Sequence, residues 1–161
     1  MAQPMAAIVP AHRTKKVCMS LAAALQEGAR GELGFLATAR NGGRYSRMRG
    51  NILDQMCRGI DDSTTVVVFV TRRYISKVAS ADARDNCKLE FNYARQHRAG
   101  RMLAVPMEPG TRDPSTWTGA VSMVLGSNLY EAHFDLDDAD DAGWDEQLDK
   151  LAAFIRRVAN A

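Results

Sequence analysis

Cysteine is scarce in the 161 residues: Cys18, Cys57 and Cys87 are the only three, with no CxxC or Cys/His ligand spacing. An odd, scattered set argues against a disulfide scaffold or a zinc module and suits a reducing compartment, so a cytoplasmic location is expected. No apolar run reaches the roughly 18 residues that a membrane span requires. The opening MAQPMAAIVPAHR lacks the long apolar core and cleavage pattern of a secretory leader, so none is expected. Aromatic residues make up only 7%, and Tyr45 alone is interleaved among Arg40, Arg44, Arg47 and Arg49. That is too few stacking platforms for a nucleic-acid groove, and no nucleic-acid partner is expected.

Metal chemistry is equally thin. His12, His97 and His133 have no i, i+4 partner and no HExxH context. The acidic stretch Asp135–Asp149 fits a calcium loop only in part: Asp140 and Gly143 fall in register from Asp138, but Ala142 and Asp149 occupy ligand positions wrongly. Gly28, Gly31 and Gly34 follow a helical pattern, whereas a phosphate-binding loop must follow a strand. No Ser/His/Asp elbow appears. A phospho-acceptor would need an Asp where the central strand candidate ends in Thr71. Neither a metal nor a resident cofactor is expected.

What is present is ordinary globular composition: 46% hydrophobic and 25% charged, enough for one core without staples. A single domain over 1–161 is expected, with residues 1–5 as a disordered tail. The net charge of +2 hides a gradient. Residues 1–60 carry nine Lys/Arg against three Asp/Glu, and residues 131–161 carry three against nine. Such polarity suits head-to-tail self-association, or simply two differently solvated faces.

Periodicity alternates strands and helices. Thr64–Thr71 (TTVVVFVT) is a β-branched run without alternation, as in a strand buried on both faces of a parallel sheet. Arg101–Met107 is a second strand candidate, with Pro106 late enough to spare the ladder. Gly34–Ala39 and Leu129–Phe134 are weaker. The only segment available for a first strand is Ala6–Pro10, so that strand is either frayed or belongs to a domain whose beginning was cut away. Helical stripes run through Val17, Leu21, Ala24 and Leu25, then through Ile52, Leu53, Met56 and Ile60. Others cover about Asn86–Arg98, then Trp117, Val121, Val124 and Leu125, and finally Trp144, Leu148, Leu151, Ile155 and Val158. Alternation with short connections predicts an α/β domain with a mostly parallel sheet.

One helix carries an anomaly. Cys87, Glu90, Phe91 and Ala94 fall at i, i+3, i+4 and i+7, which is one face. A carboxylate set into an apolar stripe is expensive unless something uses or satisfies it. Alternatively, Glu90 lies in the first turn, favours the helix dipole and reaches solvent.

Together these segments resemble a Toll/interleukin receptor (TIR) domain. The resemblance is carried by VVVFVTRRYISKV (Val66–Val78), DNCKLEFNYAR (Asp85–Arg95) and RMLAVPMEP (Arg101–Pro109), then Trp117, Gly119 and LGSNLY (Leu125–Tyr130). It covers most of the chain and is most specific over 64–109. It implies a flavodoxin-like three-layer domain with a five-stranded parallel sheet in the order 2-1-3-4-5. It identifies Arg40–Gly50 as the family's BB loop, which puts Asn41, Gly42, Gly43, Arg44, Tyr45, Ser46 and Arg47 at an interface with a neighbouring TIR domain.

The resemblance also implies an activity. Many TIR domains cleave NAD+ at the nicotinamide–ribose bond with a glutamate three positions after a cysteine, and Cys87-Lys88-Leu89-Glu90 matches. Glu90 is then the catalytic residue, and Ala11, His12, Arg13 and Cys87 are substrate-binding, with Arg13 the candidate for the diphosphate. The sequence departs from the family where Pro10-Ala11-His12-Arg13 replaces the usual Ser-Tyr with basic residues, and where Ala37, Thr38 and Ala39 replace an acidic position. The expected function is an NAD+ glycohydrolase activated by self-association, with NAD+ as substrate and copies of itself or other TIR domains as partners. The alternative is a non-catalytic adaptor acting through TIR–TIR contacts.

Overall fold

In a computed structural model of the chain, the described residues are 5–8, 35–37, 52–127 and 143–159. Four strands form one parallel sheet: β1 (Met5–Ile8), β2 (Phe35–Ala37), β3 (Thr65–Val70) and β4 (Met102–Pro106), in the order β2-β1-β3-β4. The five-stranded flavodoxin-like sheet expected from the resemblance is therefore corrected to four strands among the described residues. The candidate for a fifth strand, Leu129–Phe134, lies outside them. Its sequence, LYEAHF, has no β-branched residue and only Tyr130 and Phe134 as strand-favouring aromatics, which made it a weak candidate.

The centre of the sheet is what the valine run dictates. All six residues of β3 and all five of β4 are buried, and β3 pairs from Val66↔Met102 through Val70↔Pro106. Pro106 ends its strand, where a missing N–H interrupts nothing. Each fully buried Val contributes roughly 1.5–3 kcal/mol of hydrophobic free energy, which makes this pair the strongest part of the fold.

Among the described residues, five helices flank the sheet: α1 (Ile52–Asp61), α2 (Arg72–Ala79), α3 (Asn86–His97), α4 (Gly119–Leu125) and α5 (Gly143–Ala159). Period-2 alternation sends Val66, Val68, Val70, Met102 and Ala104 to one face, where they share a core with Ile60, Tyr74, Phe91, Val121 and Leu125 of α1 to α4. Val67, Phe69, Leu103 and Val105 are buried on the other face. There α5 meets β3, with Leu148, Leu151 and Ile155 buried on one helical stripe.

The helix α2 lies in a stretch that periodicity leaves as a connection. Thr71 caps it, its Oγ1 accepting the Tyr74 N–H at 3.1 Å, and the Glu108 carboxylate accepts the Arg72 N–H at 3.0 Å. Trp117, expected within a helix, instead precedes α4 and donates its indole N–H to the Thr111 carbonyl at 2.9 Å. The Thr111 hydroxyl in turn reaches the Val70 carbonyl at 3.1 Å, tying the loop after β4 to the end of β3.

The direction of α3 positions the candidate site. Its last residue is followed by Arg98, whose guanidinium reaches the carbonyls of Ile60 (3.1 Å) and Ser63 (2.8 Å), just before β3 begins. The C-terminal end of α3 is therefore at the amino edge of the sheet. Twelve residues at 1.5 Å each carry the other end about 18 Å away, toward the carboxyl edge.

Candidate functional site

In an open parallel sheet, ligands sit outside the strands' carboxyl ends, at the point where strand order reverses. Here that point lies between β1 and β3, and α3 packs against β1 beside it. The first two turns of α3 are the part of this helix nearest to that edge.

Asp85 starts the helix. Its Oδ1 accepts the Cys87 N–H at 2.8 Å and its Oδ2 faces Lys77 Nζ at 3.4 Å. Burial pushes the Asp85 carboxyl upward, but the Cys87 N–H and the Lys77 charge outweigh it, and the group is held below the usual carboxylate range. Cys87 is half-buried. Burial pushes its thiol up to about 11, against the pull of Lys77 and with the help of Asp85 and Glu90. A thiol of that kind stays protonated at neutral pH and is no nucleophile.

Glu90 decides between its two readings. It lies in the second turn, and only 3% of it is exposed, so it is not a solvated first-turn acid. Alongside Leu53, Met56, Cys57, Ile60, Leu89 and Tyr93 it lines a cavity of about 210 Å³ between α1 and α3. The walls are otherwise largely apolar. A cavity of about 150 Å³ accepts benzene, so this one fits one substituted six-membered ring and not a whole dinucleotide.

Farther along α3 the polar groups are paired. The Tyr93 hydroxyl donates to Asp61 Oδ2 at 2.7 Å, and that hydrogen bond, with a smaller contribution from burial, pushes the hydroxyl up to about 12. His97 stacks on Tyr93 at 4.0 Å and faces Asp61 Oδ1 at 3.3 Å. Periodicity did not single out Cys57 or Tyr93 for the site. The available signal was spacing: Tyr93 follows Glu90 by three residues, and Cys57 precedes Ile60 by three on the facing helix.

Of the expected site residues, the structure describes Glu90 and Cys87, one helical turn apart on α3. Ala11, His12 and Arg13 lie outside the described residues, as do Asn41, Gly42, Gly43, Arg44, Tyr45, Ser46 and Arg47. The helical stripe through Val17 and Leu25, the glycines Gly28, Gly31 and Gly34, and Asp138, Asp140 and Ala142 of the calcium-loop candidate lie outside them too, whereas its Gly143 and Asp149 lie in α5. Among the described residues, no helix is long and apolar enough to cross a membrane, and no three His, Cys, Asp or Glu side chains gather as a metal site. No family model matches the chain, and no curated protein matches it.

Proposed function

We propose that this chain is a TIR-type NAD+ glycohydrolase with Glu90 as its catalytic carboxylate. The observation that carries the proposal is the burial of Glu90 in the wall of an otherwise largely apolar cavity sized for one ring. The nicotinamide of NAD+ is such a ring, and it bears the positive charge that a buried carboxylate attracts. The adenosine half lies outside this cavity, with Arg13 assigned to the diphosphate.

The reaction requires little else. The bond between ribose C1′ and the nicotinamide nitrogen breaks, and its electron pair leaves with the nicotinamide, which becomes neutral. No general acid is needed, unlike at an ordinary glycoside, where a second carboxyl protonates the leaving group. Positive charge passes from the ring to C1′ and O4′ of the ribose. A carboxylate held nearer the ribose than the ring binds the transition state better than the substrate, and that difference is the catalysis. Water then bonds to C1′ and releases its proton to solvent, giving ADP-ribose; capture of C1′ by the adenine base would give a cyclic product. Cys87, protonated and one helical turn before Glu90 on α3, is not among the residues lining this cavity.

Activation by self-association through the Arg40–Gly50 loop, in a cytoplasmic signalling pathway, belongs to the same proposal and is supported by the opposed charges of the chain's two ends. The test is nicotinamide release from NAD+ by the wild type and by Glu90→Ala, at high protein concentration with a crowding agent. Loss of turnover in the variant is expected. Turnover that survives Glu90→Ala sinks the proposal. Absence of turnover in both, with oligomers visible by light scattering, replaces the enzyme by the non-catalytic adaptor.

A further inference from the structure

Away from the Glu90 cavity, a groove of about 700 Å³ lies between α2 and the loop that follows β4. Both walls begin where strands stop, since α2 follows β3 directly and the loop follows Pro106. The groove is therefore at the carboxyl edge of the sheet, where open α/β domains hold ligands. Its volume is in the range of small-molecule sites.

The lining carries charge of one sign. Along one face of α2, Arg72, Ser76 and Ser80 fall at i, i+4 and i+8, with Ile75 and Ala79 between them. The loop and the residue that caps α4 add Gly110, Thr116 and Thr118. Among the described residues the lining thus holds one cation, hydroxyls on both walls and no carboxylate. The cation is set in place. Gly110 lets the Arg72 guanidinium lie against the loop backbone, where a Cβ would overlap it. Glu108 accepts the Arg72 backbone N–H at 3.0 Å, and among the described residues no ion pair takes up the guanidinium. A positioned arginine fork with no carboxylate partner suits the oxygens of a phosphate.

The hydroxyls keep capacity for a ligand. Ser80 Oγ accepts the Asp82 N–H at 3.0 Å and retains its proton to donate. Thr116 Oγ1 donates to the Asp113 carbonyl at 2.7 Å and retains lone pairs to accept. The loop is braced by Asp113, which accepts the Ser115 N–H at 2.9 Å, and by the Trp117 indole on the Thr111 carbonyl. Its wall is thus formed before a ligand arrives. Hydroxyls beside Ile75 and Ala79 match a sugar, which has O–H groups on its rim and C–H groups on its faces. Among the described lining residues no aromatic ring offers a stacking surface for a base.

We infer that this groove binds a phosphorylated sugar, its phosphate on Arg72 and its hydroxyls along Ser76, Ser80, Thr116 and Thr118. The groove shares no lining residue with the Glu90 cavity, and the inference does not depend on NAD+ turnover.

The experiment titrates the full chain with ribose 5-phosphate at low ionic strength and follows backbone amide shifts by NMR. Saturable shifts confined to residues 72–80 and 110–118 are expected, with ribose and inorganic phosphate each binding at least about tenfold more weakly. AMP, which carries the same ribose and phosphate, should bind within about threefold, because nothing stacks its base. Arg72→Gln should weaken ribose 5-phosphate by at least about tenfold. Gly110→Ala keeps the charge but displaces the guanidinium, and should weaken binding by about threefold. Ser76 is exposed, so Ser76→Asp keeps the fold and should abolish binding by repulsion. The inference is overturned by a wild type without saturable shifts, by shifts centred elsewhere, or by normal binding in either Arg72→Gln or Ser76→Asp. Inorganic phosphate binding as tightly as the sugar phosphate, or AMP binding far more tightly, also overturns it, since either result takes recognition away from the sugar.

Discussion

The two ends of α3 solve opposite problems. At the amino edge of the sheet, Arg98 gives its guanidinium to the carbonyls of Ile60, Asp61, Ser63 and His97, and Asp61 takes up both Tyr93 and His97. The acceptors left over where α1 ends are met by a cation, as the helix dipole favours. Toward the carboxyl edge, the same helix buries a carboxylate, lifts a thiol out of its reactive range and packs against an orphaned hydroxyl. One end is arranged for stability. The other holds groups that cost stability, and such costs concentrate where a protein binds or reacts.

That contrast can be broken from either side. The largest effect is expected at Glu90: Glu90→Gln keeps the shape and removes the charge, and NAD+ turnover should fall by at least about 100-fold. Circular dichroism should show the fold intact. A variant that turns over NAD+ normally would erase the functional half of the comparison.

Next in size is Arg98→Ala. Losing several charge-assisted hydrogen bonds at a helix end should destabilise the fold by about 2–3 kcal/mol, measured by urea denaturation. Turnover per folded molecule should not change, because Arg98 lies at the far end of α3 from Glu90.

Asp85→Ala should cost about 1 kcal/mol as a lost N-cap. Its pH dependence has a definite sign. The folded state holds the Asp85 carboxyl below its unfolded range, so the contribution is present above the ordinary carboxylate pKa and disappears as pH falls through the lowered folded value. Wild-type and variant stabilities should therefore converge in acid and differ at neutral pH.

The smallest effect is expected from Asp61→Asn. Removing the charge that accepts the Tyr93 O–H should bring that hydroxyl down from about 12 toward the ordinary tyrosine value near 10, read by ultraviolet titration. Stability should change by less than about 1 kcal/mol, since Asp61 is exposed.

The elements most legible in the sequence are those with the strongest local chemistry. TTVVVFVT can hardly be anything but a buried strand, and β3 occupies Thr65–Val70 within it. The stripe through Ile52, Leu53, Met56 and Ile60 lies in α1, where Met56 and Ile60 are buried and Leu53 is exposed, and Gly100, at a φ of +78°, closes the turn after α3 where a stop was expected. By contrast, α2 was not legible, because Arg72-Arg73-Tyr74-Ile75-Ser76-Lys77 has polar residues on most positions and its cap is a lone Thr71. The fifth strand of the expected sheet, at the weaker candidate Leu129–Phe134, lies outside the described residues.

Glu90 marks the boundary between the two kinds of information. Its place in an apolar stripe follows from residue spacing alone, because 3.6 residues per turn puts it on a face with Cys87, Phe91 and Ala94. Spacing could not say whether that face is buried at Glu90 or tilted into solvent, since this depends on what packs opposite. Only the tertiary arrangement brings Leu53, Cys57 and Ile60 of α1 across from Leu89, Glu90 and Tyr93, and only there does a cavity exist. Tyr74 is the same case from another helix, as nothing in Arg73-Tyr74-Ile75 indicates that its hydroxyl is buried with no partner among the described residues. Periodicity is a property of one segment, whereas burial, cavities and electrostatic neighbours belong to pairs of segments far apart in the chain, and chain folding alone sets those pairs.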